Sequence, residues 1–174
     1  MKCATCGAEH DLLEPTFLRP DAVVDLPSEE RAERVNETDD LCAIWARSDA
    51  EPHRYFVRCV LKVRLLDAPG DTGWGLWVEV MGGDFDRIVE TWSDPDQASV
   101  PPMDAWVANQ VPDYPDTIGL PVTLHLTGPT TRPQLTLDPG SYYAVVDGAG
   151  SGSAGAYTLR LESAEDAGLP ARRK

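Results

Sequence analysis

Two thiols and an imidazole stand together at the start of the chain: Cys3-Ala4-Thr5-Cys6, then Gly7, then His10. Cysteines separated by two residues can turn back onto one metal ion. The Gly after the second lets the backbone pass close to the sulfurs without a Cβ in the way. His10, four positions beyond Cys6, is within reach as a third ligand. Cys42 opens a strand just after a polar turn and is the best distant fourth. A closed Cys3/Cys6/His10/Cys42 set is tetrahedral, leaves no position for a water and has no redox chemistry, so it predicts structural zinc. Free thiols and a redox-active pair are the alternatives. Against the redox reading, a thioredoxin-like CxxC follows a buried strand and opens a helix, whereas this one is terminal. Cys59 has apolar neighbours at 57 and 61 and reads as a small core residue.

Acid–base chemistry would have to come from few residues. The histidines are His10, His53 and His125. His125 shares a strand face with Thr123 and Thr127. With Asp116 from a Tyr-Pro-Asp-Thr turn it would make a His–carboxylate couple, and Arg58 or Arg132 would hold an anionic substrate group. Each has a plainer reading: His125 as a partly exposed side chain with one hydrogen bond, Asp116 as a turn cap. There is no GxSxG, HExxH or P-loop. The pairs Asp39-Asp40 and Asp94/Asp96, and the run Gly82-Gly83-Asp84-Phe85-Asp86, read as solvated turn residues.

Aromatic residues suggest binding instead. Trp74 and Trp77 are three apart in a strand and point to opposite faces, so one is core and the other must face something else. A Trp beside Arg58 would be a typical interface anchor, although a Trp-rich core is the plainer reading of five tryptophans. The expected binding residues are Arg58, Trp74, Trp77, Tyr114 and Arg132.

The elements that must position these residues read as α+β. A helix is expected from Ser28 to about Asn36, with its acids in the first turn. Residues 41–46 and 54–66 read as strands. In the second, Tyr55, Val57, Cys59, Leu61, Val63 and Leu65 line one face, and Arg58, Lys62 and Arg64 the other. After a turn at 67–71, Trp74–Met81 is the returning strand. A helix capped by Asp84 then carries Phe85, Ile88, Val89 and Trp92 at helical spacing. A second short helix is expected around 103–109, presenting Met103, Trp106 and Val107. Strands follow near 121–127, 134–138, 141–147 and 156–162, the last two joined by the flexible Gly148–Gly155 linker.

The 174 residues suffice for one core. Twenty-nine acids against 15 bases give a charge of −14, which repels phosphate backbones. The one basic cluster, Arg172-Arg173-Lys174, reads as a tail. The acidity is expected to mean solubility, or attraction to a basic protein. No run reaches the roughly 18 apolar residues of a membrane span. Met1-Lys2 passes straight into the CxxC without a leader pattern, and the expected setting is the reducing cytoplasm.

Several pieces taken together resemble a known family: CATCGAEH at 3–10, PSEERAER at 27–34, DDLCAI at 39–44, YFVRCVLKV at 55–63, GWGLWVEV at 73–80, YPDTIGLPVTLHL at 114–126 and RPQLTLDP at 132–139. Their order and spacing, over about residues 3–139, are similar to the uncharacterised bacterial family called domain of unknown function 2199. The resemblance implies a small cytoplasmic α+β domain with a metal-type N-terminus and no established activity. After Gly140 the chain is faintly similar to the last strands of prepeptidase-type β-sandwich domains, though two ordinary strands around a Gly-rich loop is the plainer reading.

The expectation is a single α+β domain over 1–163 with a mostly antiparallel sheet and two or three short helices. Residues 1–14 form the zinc knuckle, 140–163 a C-terminal strand pair and 164–174 a disordered tail. Its function is expected to be a zinc-stabilised, non-enzymatic interaction module docking a basic partner, immunity-like in one form. The alternative is a small hydrolase-like enzyme using His125 and Asp116.

Overall fold

A computed structural model describes residues 16–64, 71–111, 116–137, 143–148 and 157–162. Its framework is set by one long strand, β3 (Arg54–Arg64). Val57, Cys59 and Leu61 alternate along one face of it and are buried, as the period of two requires. It pairs antiparallel with β4 (Asp71–Val80), which sets Cys59 opposite Leu76 and Arg58 opposite Trp77. The meander continues through β5 (Met103–Val107), β6 (Pro121–His125) and β7 (Gln134–Leu137). After five antiparallel strands the last runs the same way as the first, so closure has to be parallel. It is: β7 pairs with β3 at Val60↔Gln134 and Leu61↔Leu135. The result is a mixed, closed five-stranded sheet. Two short strands, β1 (Val35–Glu37) and β2 (Leu41–Ile44), extend it along the first half of β3.

The closed sheet is filled by side chains, with Val57, Cys59, Leu76, Val78, Ala105, Val122 and Leu124 at its centre. The helix α3 (Gly82–Thr91) follows β4 directly. It buries Ile88 and packs Phe85 against this core, with Trp92 following at its end.

The opposite face of β3 is not the open polar face expected from Arg58 and Lys62. Phe56 is wholly buried there, in a second core with Trp77, Cys42, Ile44, Ala108 and Val23. Val23 belongs to the four-residue α1 (Asp21–Val24). The guanidinium of Arg31, on α2 (Ser28–Arg34), caps the segment around α1 by donating to the carbonyls of Val23, Val24 and Leu26. Asn109, fully buried, locks this N-terminal segment down. Its Oδ1 accepts from the Trp77 N–H at 2.8 Å, and its Nδ2 donates to the Arg19 carbonyl at 2.8 Å and to Asp21 Oδ1 at 2.9 Å.

Three local expectations are corrected. Residues 103–107 are a strand, not a helix: Met103, Ala105 and Val107 are buried while Asp104 is exposed, a period of two within Met-Asp-Ala-Trp-Val. The α2 helix stops at Arg34, because Val35 enters the sheet opposite Ile44. Asp84 lies inside the first turn of α3, whose N-cap is Met81. The strands expected near the C-terminus are present as β8 (Tyr143–Gly148) and β9 (Tyr157–Glu162), paired antiparallel in a sheet of their own. Of the turn expected at 67–71, Asp71 already belongs to β4 and residues 67–70 lie outside the described residues, as do most of the 148–155 linker, the 1–14 knuckle and the 164–174 tail. Among the described residues no helix is long and apolar enough to cross a membrane.

Asn109→Ala strands the buried Trp77 N–H and the Arg19 carbonyl and leaves the Asp21 carboxylate only its bond from the Gln110 N–H, so it should cost about 3 kcal/mol and lower the Tm by roughly 6–12 °C. Thermal unfolding followed by circular dichroism measures this. A change within about 0.5 kcal/mol would show that Asn109 does not hold the segment.

Candidate functional site

The connection from β2 to β3 carries aromatic residues at both ends, and the fold brings them together. Trp45 leaves β2 just after Ile44, and His53 and Tyr55 flank the start of β3. Arg34, whose side chain is largely buried, fixes the intervening loop. Its Nε donates to the Trp45 carbonyl at 2.9 Å, its Nη2 to Glu51 Oε1 at 2.6 Å and its Nη1 to Glu30 Oε2 at 3.4 Å. Arg47 pairs with Glu30 from the other side, and its backbone N–H donates to Glu51 Oε2 at 2.8 Å. Within the loop the Ala46 N–H donates to His53 Nδ1 at 2.9 Å, which leaves the ring proton on Nε2.

Trp45 packs edge to face with His53 and Tyr55, and Tyr55 packs tilted on Phe85. Trp45 lies 5.2 Å from His53 and 6.4 Å from Tyr55 between centroids, and Tyr55 lies 4.9 Å from Phe85 on α3. Gly82 permits that last contact, since a Cβ there would stand 3.2 Å from Tyr55 Cε2. Trp45 is nevertheless 42% exposed, and beside Gly82 Met81 is 61% exposed. Val89, one turn beyond Phe85, is also exposed. The neighbouring elements carry more acids than bases: α3 has Asp84, Asp86 and Glu90 against Arg87, and the loop has Asp49 and Glu51 against Arg47. Arg87 is engaged with Asp84 at 3.5 Å. The exposed indole is thus braced by two rings, one of them backed by Phe85.

The residues chosen from sequence lie elsewhere. Trp77 is 2% exposed, and its indole N–H donates to the Phe17 carbonyl at 3.2 Å; it is a core residue and offers no docking surface. Trp74 does point the other way, as its spacing requires, but it packs half-buried against the main core. Both faces of β4 are covered. Arg58 does lie across from Trp77, yet it works as a strap, donating to Thr16 Oγ1 at 2.7 Å and to the Asp39 carbonyl at 3.3 Å. Arg132 Nε donates to Asp40 Oδ1 at 2.6 Å. Tyr114 lies outside the described residues.

His125 and Asp116 are not brought together. His125 Nε2 is 3.0 Å from Thr136 Oγ1 on β7. Asp116 sits before the opposite end of β6, at φ 47°. Four strand steps of about 3.3 Å put ~13 Å between Pro121 and His125 alone, and Arg58 is on another strand. Thr117, rather than Asp116, ties this turn: its buried hydroxyl donates to the Asn109 carbonyl and accepts the Val111 N–H, both at 2.8 Å.

Of the expected zinc ligands, Cys3, Cys6 and His10 lie outside the described residues. Cys42 is buried among Val23, Ile44, Phe56 and Trp77, and burial pushes its thiol up to about 12. It packs there as a small apolar core residue. Cys59 is the core residue its neighbours suggested, its thiol likewise raised by burial. Among the described residues no three His, Cys, Asp or Glu side chains are grouped to hold a metal.

Sequence reasoning passed over Trp45, His53 and Phe85 as a set. The available signal was a nine-residue polar connection with an aromatic residue at each end, Trp45 and His53, and Tyr55 two residues further on.

The family model described as "Uncharacterized protein conserved in bacteria (DUF2199)" matches residues 2–149, and the chain belongs to that family. No curated protein and no solved structure matches it.

The loop bearing Trp45 should loosen in acid. The carboxyl of Glu51 is held below its usual value of 4.5 by the Arg47 N–H and then by Arg34, and that of Glu30 chiefly by Arg47. Carboxylates lowered in the folded state stabilise it above the unfolded value, and that contribution is lost as the pH falls through the folded one. The Trp45 fluorescence, taken as wild type minus Trp45→Phe, should therefore step below pH 4.5, and the step should shrink in Glu51→Gln. An unaltered step in that variant would place the titration outside this network.

Proposed function

We propose that this protein is a non-enzymatic interaction module whose docking surface is the aromatic face centred on Trp45, and that its partner is a basic protein. The observation that carries the reading is a 42% exposed indole held in place by ring contacts and by a loop tied to Arg34. Interface energy concentrates in such anchors, a Trp in a packed setting surrounded by contacts that exclude water. A rigid anchor also loses little conformational freedom on binding. The acids on α3 and the loop, on a chain of charge −14, favour a cationic surface and speed its approach. An immunity-like protein that neutralises a cationic toxin is one form such a module takes. The separation of His125 from Asp116 removes the support for the hydrolase alternative.

Trp45→Ala is the direct test. Affinity capture from the source bacterium should recover a basic protein with the wild type, and Trp45→Ala should weaken that complex about 30-fold or more. The association rate should fall steeply with added salt. A complex that Trp45→Ala leaves intact, or one made with an acidic protein, would overturn the assignment.

The same reading includes a structural zinc held by Cys3, Cys6 and His10, supported by their spacing and by the Gly after Cys6. The set is taken as these three because Cys42 packs among apolar side chains. Elemental analysis should then find about one zinc per chain, lost in Cys3→Ser and kept in Cys42→Ala. Zinc retained by a Cys3→Ser/Cys6→Ser variant would refute the site, and zinc lost from Cys42→Ala would return Cys42 to it.

A further inference from the structure

A second surface lies at the seam of the closed sheet. The edge of β3 is shared: β2 takes Arg54–Val57, and β7 takes only Val60 and Leu61. Where β3 runs on past this short pairing, a groove of about 580 Å³ opens, with Lys62, Arg132, Gln134, Thr130, Asp40 and Trp92 in its walls.

Its charges are unusual for this chain. Among the described side chains, Arg19, Arg34, Arg47, Arg54, Arg87 and Arg132 are paired with carboxylates. Arg31 and Arg58 are spent on backbone carbonyls or a hydroxyl. Lys62 alone among the described cations has no partner. Arg132 is engaged through Nε, by Asp40 at 2.6 Å, which orients the guanidinium and leaves the two terminal nitrogens without a described partner. In a protein of charge −14 two such cations in one groove are a local reversal of sign.

We infer that this groove binds a small phosphate monoester of about nucleotide size. Arg132 offers a planar pair of N–H donors suited to two oxygens of one phosphate, and Lys62 a mobile point charge for the third. The Asp40 carboxylate holds the fork in place at no cost to its free edge. The groove is far larger than a bare phosphate and falls in the size range of small-molecule sites. The Thr130 hydroxyl and the Gln134 amide supply neutral polar contacts, and Trp92 an aromatic wall for a flat ring. The site is separate from the Trp45 face and does not rest on the function proposed above.

Calorimetry on the full chain with AMP, adenosine and inorganic phosphate tests it. AMP should bind, and adenosine and phosphate should each bind at least about tenfold more weakly. Lys62→Met should weaken AMP about tenfold or more with an unchanged melting curve, because Lys62 is exposed. Arg132→Lys, which keeps the charge and loses the fork, should weaken it as well, while Trp45→Ala should not. Absence of AMP binding, equal affinity for adenosine, or AMP binding indifferent to Lys62→Met would each overturn the inference. Phosphate binding as tightly as AMP would remove the ring from the ligand.

Discussion

Everything in this molecule follows from how β3 divides its free edge. A five-stranded meander can close only by a parallel pair, and here that closure rests on Val60 and Leu61 against Gln134 and Leu135. The first half of the same edge is given to β2. At the join the backbone is still satisfied: the Arg58 N–H donates to the Asp40 carbonyl at 2.8 Å and the Val60 N–H to the Pro133 carbonyl at 2.9 Å. A closed sheet of five strands has an interior only wide enough for its own side chains. Val57, Cys59, Val78 and Leu124 fill it. Anything this protein binds must therefore be met on the outside, at strand connections or along the seam.

The outside is only partly available. Phe56 and Trp77 make the outer face of β3 and β4 apolar, and it is covered by the segment from Thr16 to Leu26. Apolar burial places that segment, but it does not fix its register. Asn109 does, because its amide is spent on the Trp77 N–H, the Arg19 carbonyl and the Asp21 carboxylate. A shift of the segment by one residue would leave several buried polar groups unpaired, each costing about 1–3 kcal/mol. The covering also uses up Arg58, which becomes a clasp on Thr16.

The sequence allowed the main strands to be read because their alternation is strong: residues 55–61 and 74–80 each present one buried apolar face. It was less clear at 103–107. Met103, Trp106 and Val107 make a helical stripe on paper, yet Met103, Ala105 and Val107 make an equally good strand stripe, and only pairing with β4 and β6 decides between them. The same limit governed the tryptophans. Period two tells that Trp74 and Trp77 point opposite ways; it does not tell that both faces of β4 are covered. Asp116 and His125 are nine apart in sequence, but β6 is extended between them and draws them to its two ends. Cys42 looked like a ligand because a polar turn precedes it, whereas its strand pairing with Phe56 directs it into the second core.

The Trp45 face also shows why a chain with so many charges uses few of them for stability. Ion pairs to carboxylates as exposed as Glu30 and Glu51 contribute little, about 0–1 kcal/mol each, so stability alone is a poor account of the Arg34 network. Its geometry is better accounted for by what it immobilises. Arg34 holds the Trp45 carbonyl and Arg47 and Glu51 close the loop, so that the indole is fixed from its own backbone while its ring stays partly in solvent. Tyr55, braced by Phe85 and by the absence of a side chain at Gly82, supports the ring from behind. An exposed hydrophobic side chain that is also held rigid has its ordering cost met within the folded chain. A loosely held Trp would serve folding equally well, so folding alone does not account for the bracing.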